Sequence, residues 1–249
     1  MRPIHEQVVL VCGASRGIGR AVAEQFSKHR ASIVIHYKEQ HQQAQEVARY
    51  CKDNGSDVLC VAADVRDRKA VFDMVSAAVE RFGRIDSMIY CSGISRVGLL
   101  QDMSQDDYET LMDTHVRGLF HVAQAVASHF LTRKQGRIVV LSSIWGSTGG
   151  AGEVLYSAAK GAVNAFTKAL AKEWAPSGVT VNALAPGAIA TDMLDHLDES
   201  DIQALTADIP LDRLGTTAEI AHWVIHLCQP ESRYMTGQVI HVNGGWFTP

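Results

Sequence analysis

The chain has no apolar run approaching the roughly 18 residues a membrane span requires, and its opening Met1-Arg2-Pro3-Ile4-His5 lacks the apolar core of a secretion signal. No membrane partner is expected, and the cytoplasm is the expected compartment. Basic charge is also scarce: 23 Lys and Arg against 27 Asp and Glu give a formal net charge of -4, with no stripe for a nucleic-acid backbone. The five cysteines (Cys12, Cys51, Cys60, Cys91, Cys228) are odd in number and form no CxxC pair. That spacing suits neither a disulfide framework nor a zinc ribbon, so they read as buried thiols. His222 and His226 lie four apart without the glutamate of a zincin helix; they read as an amphipathic helix end, and no metal site is expected. Low-complexity tracts, charge runs and solenoid repeats are missing too, which leaves no linker to cut at. With 47% hydrophobic and 20% charged residues over 249 positions, one folded domain spanning residues 1–249 is expected.

What is present is an alternation of short apolar runs with longer amphipathic ones. Strands are predicted at Gln7–Cys12, Ser32–Tyr37, Val58–Ala62, Ser87–Ser92, Arg137–Leu141, Val179–Leu184 and Gln238–Val242, with helices at Ala21–His29, Gln40–Asn54 and Arg68–Phe82. Strands apolar throughout and separated by helices imply a doubly wound parallel sheet, an α/β fold of three layers, with ligands at the strands' carboxyl ends. From Thr191 to Gly215 the chain turns polar and acidic and contains Pro210, which reads as a helical excursion, either a substrate-side lid or a plain surface insertion.

After the first strand comes Gly13-Ala-Ser15-Arg16-Gly17-Ile18-Gly19. Glycines at a strand-to-helix turn let the backbone approach a pyrophosphate, and the helix N-terminus offers free N–H groups. The same residues match a G-x-S-x-G nucleophile elbow, which would make Ser15 an acyl-transfer nucleophile. That alternative leaves Gly19 without a role and puts the elbow on the first strand. After the second strand, His36-Tyr37-Lys38 offers no carboxylate for ribose hydroxyls, and Lys38 with Arg16 suits a 2′-phosphate. NADPH is therefore favoured over NADH, with a solvated Lys38 as the alternative. Asp64, followed by Val65 at the end of the third strand, can accept from the adenine amine or cap the next helix.

Tyr156-Ser-Ala-Ala-Lys160 follows Ser143 by thirteen residues. At i and i+4, Tyr156 and Lys160 share a helix face, so the ammonium should lower the phenol's pKa toward a range useful for acid–base work.

Together these motifs make the chain resemble a short-chain dehydrogenase/reductase, with its Rossmann fold, over essentially its whole length. The match includes Gly13, Gly17, Gly19, Asp64, Ser143, Tyr156, Lys160, Pro186-Gly-Ala-Ile-Ala-Thr191 and Val242-Asn-Gly-Gly245. The resemblance implies an NADPH-dependent ketone reductase in which Tyr156 protonates the oxygen, Ser143 steadies the developing alkoxide, and Lys160 binds the nicotinamide ribose. It also implies that Pro186, Gly187, Ile189 and Thr191 flank the carboxamide, and that the chain forms a homotetramer. Two departures stand out. Tyr90-Cys-Ser92-Gly93 replaces the usual Asn-Asn-Ala-Gly, so cofactor contacts at Ser92 and Gly93 should persist while the asparagines' hydrogen bonds must be replaced. His115 stands where the proton-relay asparagine is usual; it would make the relay pH-sensitive, or sit neutral and hydrogen-bonded.

Within the family the chain resembles bacterial 3-oxoacyl-acyl-carrier-protein reductases. In His36-Tyr37, Ser92-Gly93, His115, Ser142-Ser-Ile-Trp-Gly146, Glu153-Val-Leu-Tyr-Ser157 and Val242-Asn-Gly-Gly-Trp246 it also resembles elongation factor P 5-aminopentanone reductases. Glu153, three residues before Tyr156, would face the substrate and favour an amine-bearing ketone, or be a helix-start residue favoured by the dipole. The implied partner is accordingly acyl carrier protein or elongation factor P. A non-catalytic NADPH-binding regulator is the reading from another class.

Overall fold

A computed structural model describes residues 2–195 and 197–248. Its centre is one seven-stranded, wholly parallel sheet of β1 (Val8–Cys12), β2 (Ser32–Tyr37), β3 (Val58–Ala62), β4 (Ser87–Tyr90), β5 (Gly136–Leu141), β6 (Val179–Pro186) and β7 (Val239–Val242), in the order β3-β2-β1-β4-β5-β6-β7. The helices are α1 (Gly17–Lys28), α2 (His41–Asp53), α3 (Arg68–Phe82), α4 (Gln105–Met112), α5 (Gly118–Arg133), α6 (Trp145–Thr148), α7 (Val154–Trp174), α8 (Glu199–Ala207) and α9 (Thr217–Cys228). The predicted α/β architecture is the observed one, with helices on both faces of the sheet.

Side chains alternate across each strand, so two cores form. Val9, Val11, Ile33, Ile35, Val139 and Leu184 pack with α1, α2 and α9 on one face; Leu10, Val34, Val140 and Val181 pack with α3, α5 and α7 on the other. Burial of each such side chain stabilises the fold by about 1.5–3 kcal/mol. Only the edge strands β3 and β7 are half-exposed. The strand order reverses between β1 and β4, and the cleft of a doubly wound sheet opens where that happens.

The fourth strand ends at Tyr90 rather than at the predicted Ser92. Cys91 still donates to the Cys12 carbonyl at 2.9 Å, but the main chain of Ser92 then turns under Gly13 and leaves the ladder. The helix expected at Ala21 begins at Gly17, inside the glycine turn. The acidic excursion is helical, as expected, and residue 196 within it lies outside the described residues. Part of its acidity is structural, since Asp198 and Asp201 form the capping box of α8. No residue of α8 is buried, and the excursion is closed at its base by Ala190 N–H to Gly215 O and Gly215 N–H to Ala188 O, both 2.9 Å. Among the described residues no helix is long and apolar enough to cross a membrane, and no His/Cys/Asp/Glu group could hold a metal.

Candidate active site

The glycine turn joins β1 to α1 at the switch point. Gly13 has φ of +76°, and a Cβ there would stand 2.8 Å from Ser92 N. At Gly19 a Cβ would stand 2.8 Å from the Gly13 carbonyl carbon and closer still to its oxygen. These glycines are therefore required by close backbone approach, and they leave bare main chain at the start of a helix, which could take an anionic group. Gly17 faces Thr191 and Asp192 across the cleft. Ser15 is buried, and among the described residues no histidine is hydrogen-bonded to its hydroxyl; His36, at the end of the neighbouring strand, engages both ring nitrogens with main chain. The elbow reading is set aside on that geometry.

The ribose-side charges differ from the sequence reading in three respects. Arg16 bonds Asp192 at 3.0 Å, across the cleft. Lys38 bonds Glu39 at 2.9 Å and approaches Asp64 at 3.5 Å, so a carboxylate does follow the second strand, one residue beyond the segment first read. Arg66, which sequence reasoning missed, grips Asp64 through Nε and Nη2 at 2.6–3.0 Å and holds its carboxyl down at about 2. Asp64 does not cap α3, because Asp67 does so through the N–H groups of Lys69 and Ala70. Tyr37 is buried, with its hydroxyl 2.6 Å from His41 Nδ1, and Val65 is buried with its carbonyl 3.0 Å from His121 Nδ1.

Ser143, Tyr156 and Lys160 come together at the end of β5 and the first turns of α7, all of them buried. Ser143 Oγ accepts from Trp145 N–H at 3.2 Å. Lys160 Nζ donates to the Leu141 carbonyl at 2.7 Å and lies 5.4 Å from the Tyr156 ring centroid. Asn164, unread in the sequence, fixes the junction: Ser142 Oγ donates to its Oδ1 at 2.6 Å, and its Nδ2 donates to Gly146 O at 3.0 Å. The expected lowering of the phenol is not what the protein alone produces. Burial and then Glu153 push Tyr156 upward against a Ser143 hydrogen bond, and Lys160 does not offset them. Lys160 itself is pushed down by burial to about 8. The group is thus a protonated phenol beside a readily titrated amine, poised to give a proton.

His115 occupies a π-helical turn, Asp113–Arg117, a local irregularity often met at functional sites. Its Nε2 lies 2.8 Å from Ile94 O, its ring stands edge-on to Tyr156 with centroids 5.5 Å apart, and a Cβ on Gly93 would fall 2.7 Å from its Cε1. Burial, followed by the Lys160 charge, lowers its pKa to about 3. The pH-sensitive relay is thereby corrected in favour of a neutral, hydrogen-bonded ring. The replacement for the missing asparagines is Tyr90, whose buried hydroxyl donates to Thr114 O at 2.5 Å and ties β4 to the π turn. Tyr90→Phe is expected to lower stability by about 1–2 kcal/mol, read as a lower Tm, and a variant as stable as wild type would show the tie to be idle. For the pH dependence, kcat/KM of a reaction that draws its proton from this group should fall as pH rises through about 8, where Lys160 loses its proton. It should show no limb between pH 5 and 7, because His115 is already neutral there; a profile measured from pH 5 to 10 checks both.

Glu153 is the residue before α7, half-buried, with Ser95 Oγ donating to Oε2 at 3.3 Å. It does not cap the helix through its side chain, and its negative charge helps to hold the Tyr156 phenol up. The Pro186–Thr191 segment is held at the far wall by Ile144 N–H to Pro186 O at 3.0 Å and by Gly187 N–H to Val242 O at 3.1 Å, with Ile189 bridged to Gly215. Trp145 packs on Trp246 of the C-terminal tail, centroids 5.1 Å apart, a wall that sequence spacing did not reveal. A pocket of about 410 Å³ behind Ile189, lined by Ile209, Leu211 and Trp223 among others, holds none of Ser143, Tyr156 and Lys160.

This fold, with a serine, tyrosine and lysine grouped at the sheet's carboxyl edge, is that of a known class. The chain belongs to the short-chain dehydrogenase/reductase family, and residues 13–247 match the family described as Enoyl-(Acyl carrier protein) reductase. It is similar to the 3-oxoacyl-[acyl-carrier-protein] reductase FabG of Staphylococcus aureus, 37% identical over 238 residues that cover 96% of this chain and 97% of that protein. It is 40% identical to the short-chain reductase protein NovJ of Streptomyces niveus over 248 residues, covering 96% and 94% of the two chains. A short-chain dehydrogenase/reductase variant from Serratia marcescens superposes with a TM-score of 0.93 at 29% identity, covering 98% of this chain and 99% of that one.

Proposed function

We propose that the protein is an NADPH-dependent ketone reductase in which Tyr156 is the general acid. The observation that carries this reading is the buried Ser143, Tyr156 and Lys160 group beside a cradle that only glycine backbone permits. The cradle and its flanks fit a dinucleotide: Gly13 to Gly19 would take the pyrophosphate, Ser92 and Gly93 the chain between, and Pro186, Gly187, Ile189 and Thr191 the carboxamide. When bound, NADPH supplies a hydride equivalent to the carbonyl carbon. Tyr156 donates its hydroxyl proton to the carbonyl oxygen, Ser143 hydrogen-bonds that oxygen as charge develops, and Lys160 holds the ribose and restores the proton to Tyr156. His115 holds the Ile94 turn and the edge of Tyr156 rather than shuttling charge.

Preference for the 2′-phosphate rests on Lys38 and Arg16. Both sit in exposed ion pairs, with Glu39 and Asp192, and such pairs are worth only about 0–1 kcal/mol, so a phosphate displaces those carboxylates at little cost. The protein is expected to act in the cytoplasm as a homotetramer. Exposed Tyr108 on α4 and Phe120 on α5 support association through those helices; of the small residues Ala158, Ala159, Gly161, Ala162 and Ala165 on α7, only Ala159 is fully buried within the subunit, which leaves the rest available for close helix packing.

The substrate is proposed to be a 3-oxoacyl group tethered to acyl carrier protein, supported by the similarity to FabG. A second reading, an amine-bearing ketone on elongation factor P, is favoured by the negative charge that Glu153 brings to bear on Tyr156. NADPH oxidation with an acetoacetyl thioester and with an amine-bearing ketone separates the two. Thioester turnover indifferent to Glu153→Gln supports the first; turnover confined to the amine, and cut about tenfold by Glu153→Gln, supports the second. NADPH binding without turnover of either would sink the reductase reading in favour of a non-catalytic binder.

A further inference from the structure

The C-terminal end of β2 carries a polar ring where its neighbours are aliphatic. Val34, two residues earlier on the same face, lies in the core, and His36 is equally buried. Its Nδ1 accepts from Gly13 N–H at 3.0 Å, and its Nε2 lies 2.9 Å from the Ala63 carbonyl. The His36 carbonyl also accepts from Gly13 N–H at 3.1 Å and from Ala14 N–H at 2.8 Å. A main-chain N–H requires a bare acceptor and a carbonyl requires a donor, so both ring bonds are satisfied by one form only, the neutral imidazole with its hydrogen on Nε2.

We propose that His36 is a positioning residue for the dinucleotide, whose ring joins the glycine turn to the end of β3 and so sets the spacing between the pyrophosphate cradle and the ribose-side charges. The inference rests on the NADPH reading above and assigns a residue to it. Each bond ends next to a part of the cleft. Gly13 is the first glycine of the cradle and abuts Ser92, while Ala63 directly precedes Asp64, which holds Arg66 and neighbours Lys38. Both partners are main chain, so the tie acts on where the backbone of β1 and β3 ends and not on any side chain that touches ligand. Burial keeps the ring neutral against the pull of Asp64. An aliphatic residue of similar size would fill the space but leave the Ala63 carbonyl without this donor and Gly13 N–H with the main-chain carbonyl alone, so that the ends of β1 and β3 are aligned only through their separate main-chain bonds to β2.

A dinucleotide spans the pyrophosphate cradle and the ribose side, whereas 2′-AMP, which has no 5′-phosphate, engages the ribose-side charges alone. The test compares wild type, His36→Leu and His36→Gln for binding of NADPH and of 2′-AMP, by fluorescence titration and its displacement, alongside KM for NADPH and kcat. The expected result for His36→Leu is a Kd and KM for NADPH raised about tenfold, the scale of losing one buried hydrogen bond with its partner left unsatisfied. Its Kd for 2′-AMP and its kcat should stay within about twofold, and His36→Gln, which keeps an acceptor and a donor, should recover most of the NADPH affinity. Equal losses for the two ligands, or none in His36→Leu, would overturn the proposal. So would a wild type that binds no NADPH, which overturns the cofactor reading with it. Should His36→Leu not fold, nitrogen-15 spectra of the wild-type histidine rings decide instead. A His36 ring protonated on Nε2 alone, with resonances that shift on adding NADP+, supports the proposal, and a ring protonated on Nδ1 or unmoved by NADP+ overturns it.

Discussion

Tyr156→Phe should lower kcat for ketone reduction by about a thousandfold, within the range general acids contribute, while NADPH still binds with near wild-type affinity. Only the hydroxyl is removed. The ring that stands edge-on to His115 and below Lys160 Nζ remains, so the packing around it is kept. The Ser143 hydroxyl loses a partner but retains Trp145 N–H. The size of the effect follows from burial: a phenol pushed above its ordinary range is fully protonated at neutral pH, while His115 is neutral and Lys160, which donates to the Leu141 carbonyl, delivers its proton through Tyr156. Single-turnover NADPH oxidation, with Kd measured in parallel, checks it. A variant retaining a tenth of wild-type turnover would remove Tyr156 from the acid's role.

Gly19→Ala should abolish NADPH binding, raising Kd by at least about a hundredfold, and should also lower Tm. The added Cβ meets the Gly13 carbonyl, and its next neighbour, Ala14 Cα at 3.1 Å, is main chain as well. No side chain can rotate away. The first turn of α1 must shift outward or the Gly13 peptide must turn, and either opens the cradle whose N–H groups would face the pyrophosphate. Overpacking of this kind typically costs about 1–3 kcal/mol, and α1 packs against β1 and α9, so the strain reaches the core. Thermal unfolding and NADPH titration on the same sample separate the parts: a lower Tm with unchanged Kd would mean that the turn is structural only.

Much of this architecture was legible because its signals are local. Seven apolar runs mark the seven strands to within two residues, since a parallel strand buried on both faces admits few polar residues, and those only with hydrogen-bond partners, as at His36 and Asn182. The exception at β3, half-exposed despite its apolar sequence, is an edge, and edge position depends on strand order rather than on composition. Tyr156 and Lys160 were readable from helical spacing, and Gly13 with Gly19 from the turn. What escaped depends on where side chains are placed, next door in sequence or far away. Arg66 looks like any surface cation until Asp64 is placed beside it. Tyr90 reads as a strand residue, and only the π turn at Thr114, some two dozen positions away, shows what its hydroxyl does. Asn164 sits within an apolar helix face with no sequence sign that Ser142 and Gly146 are its partners. Electrostatics was the least legible layer. Tyr156 was expected to titrate nearer neutrality than it does, and the two readings of His115 could not be separated, because desolvation depends on the whole surrounding fold.

The excursion that leaves the sheet after Ile189 and rejoins it at Gly215 has its own caps, buries no residue of α8 and is closed by two hydrogen bonds at its base. Beyond α8 the stretch is anchored again, since Ile209 is buried and Leu211 N–H donates to the Gly244 carbonyl at 3.1 Å. Changes of sequence confined to α8 therefore leave the strand ends where they are, and that one helix, rather than the whole excursion, is the exchangeable part of the scaffold.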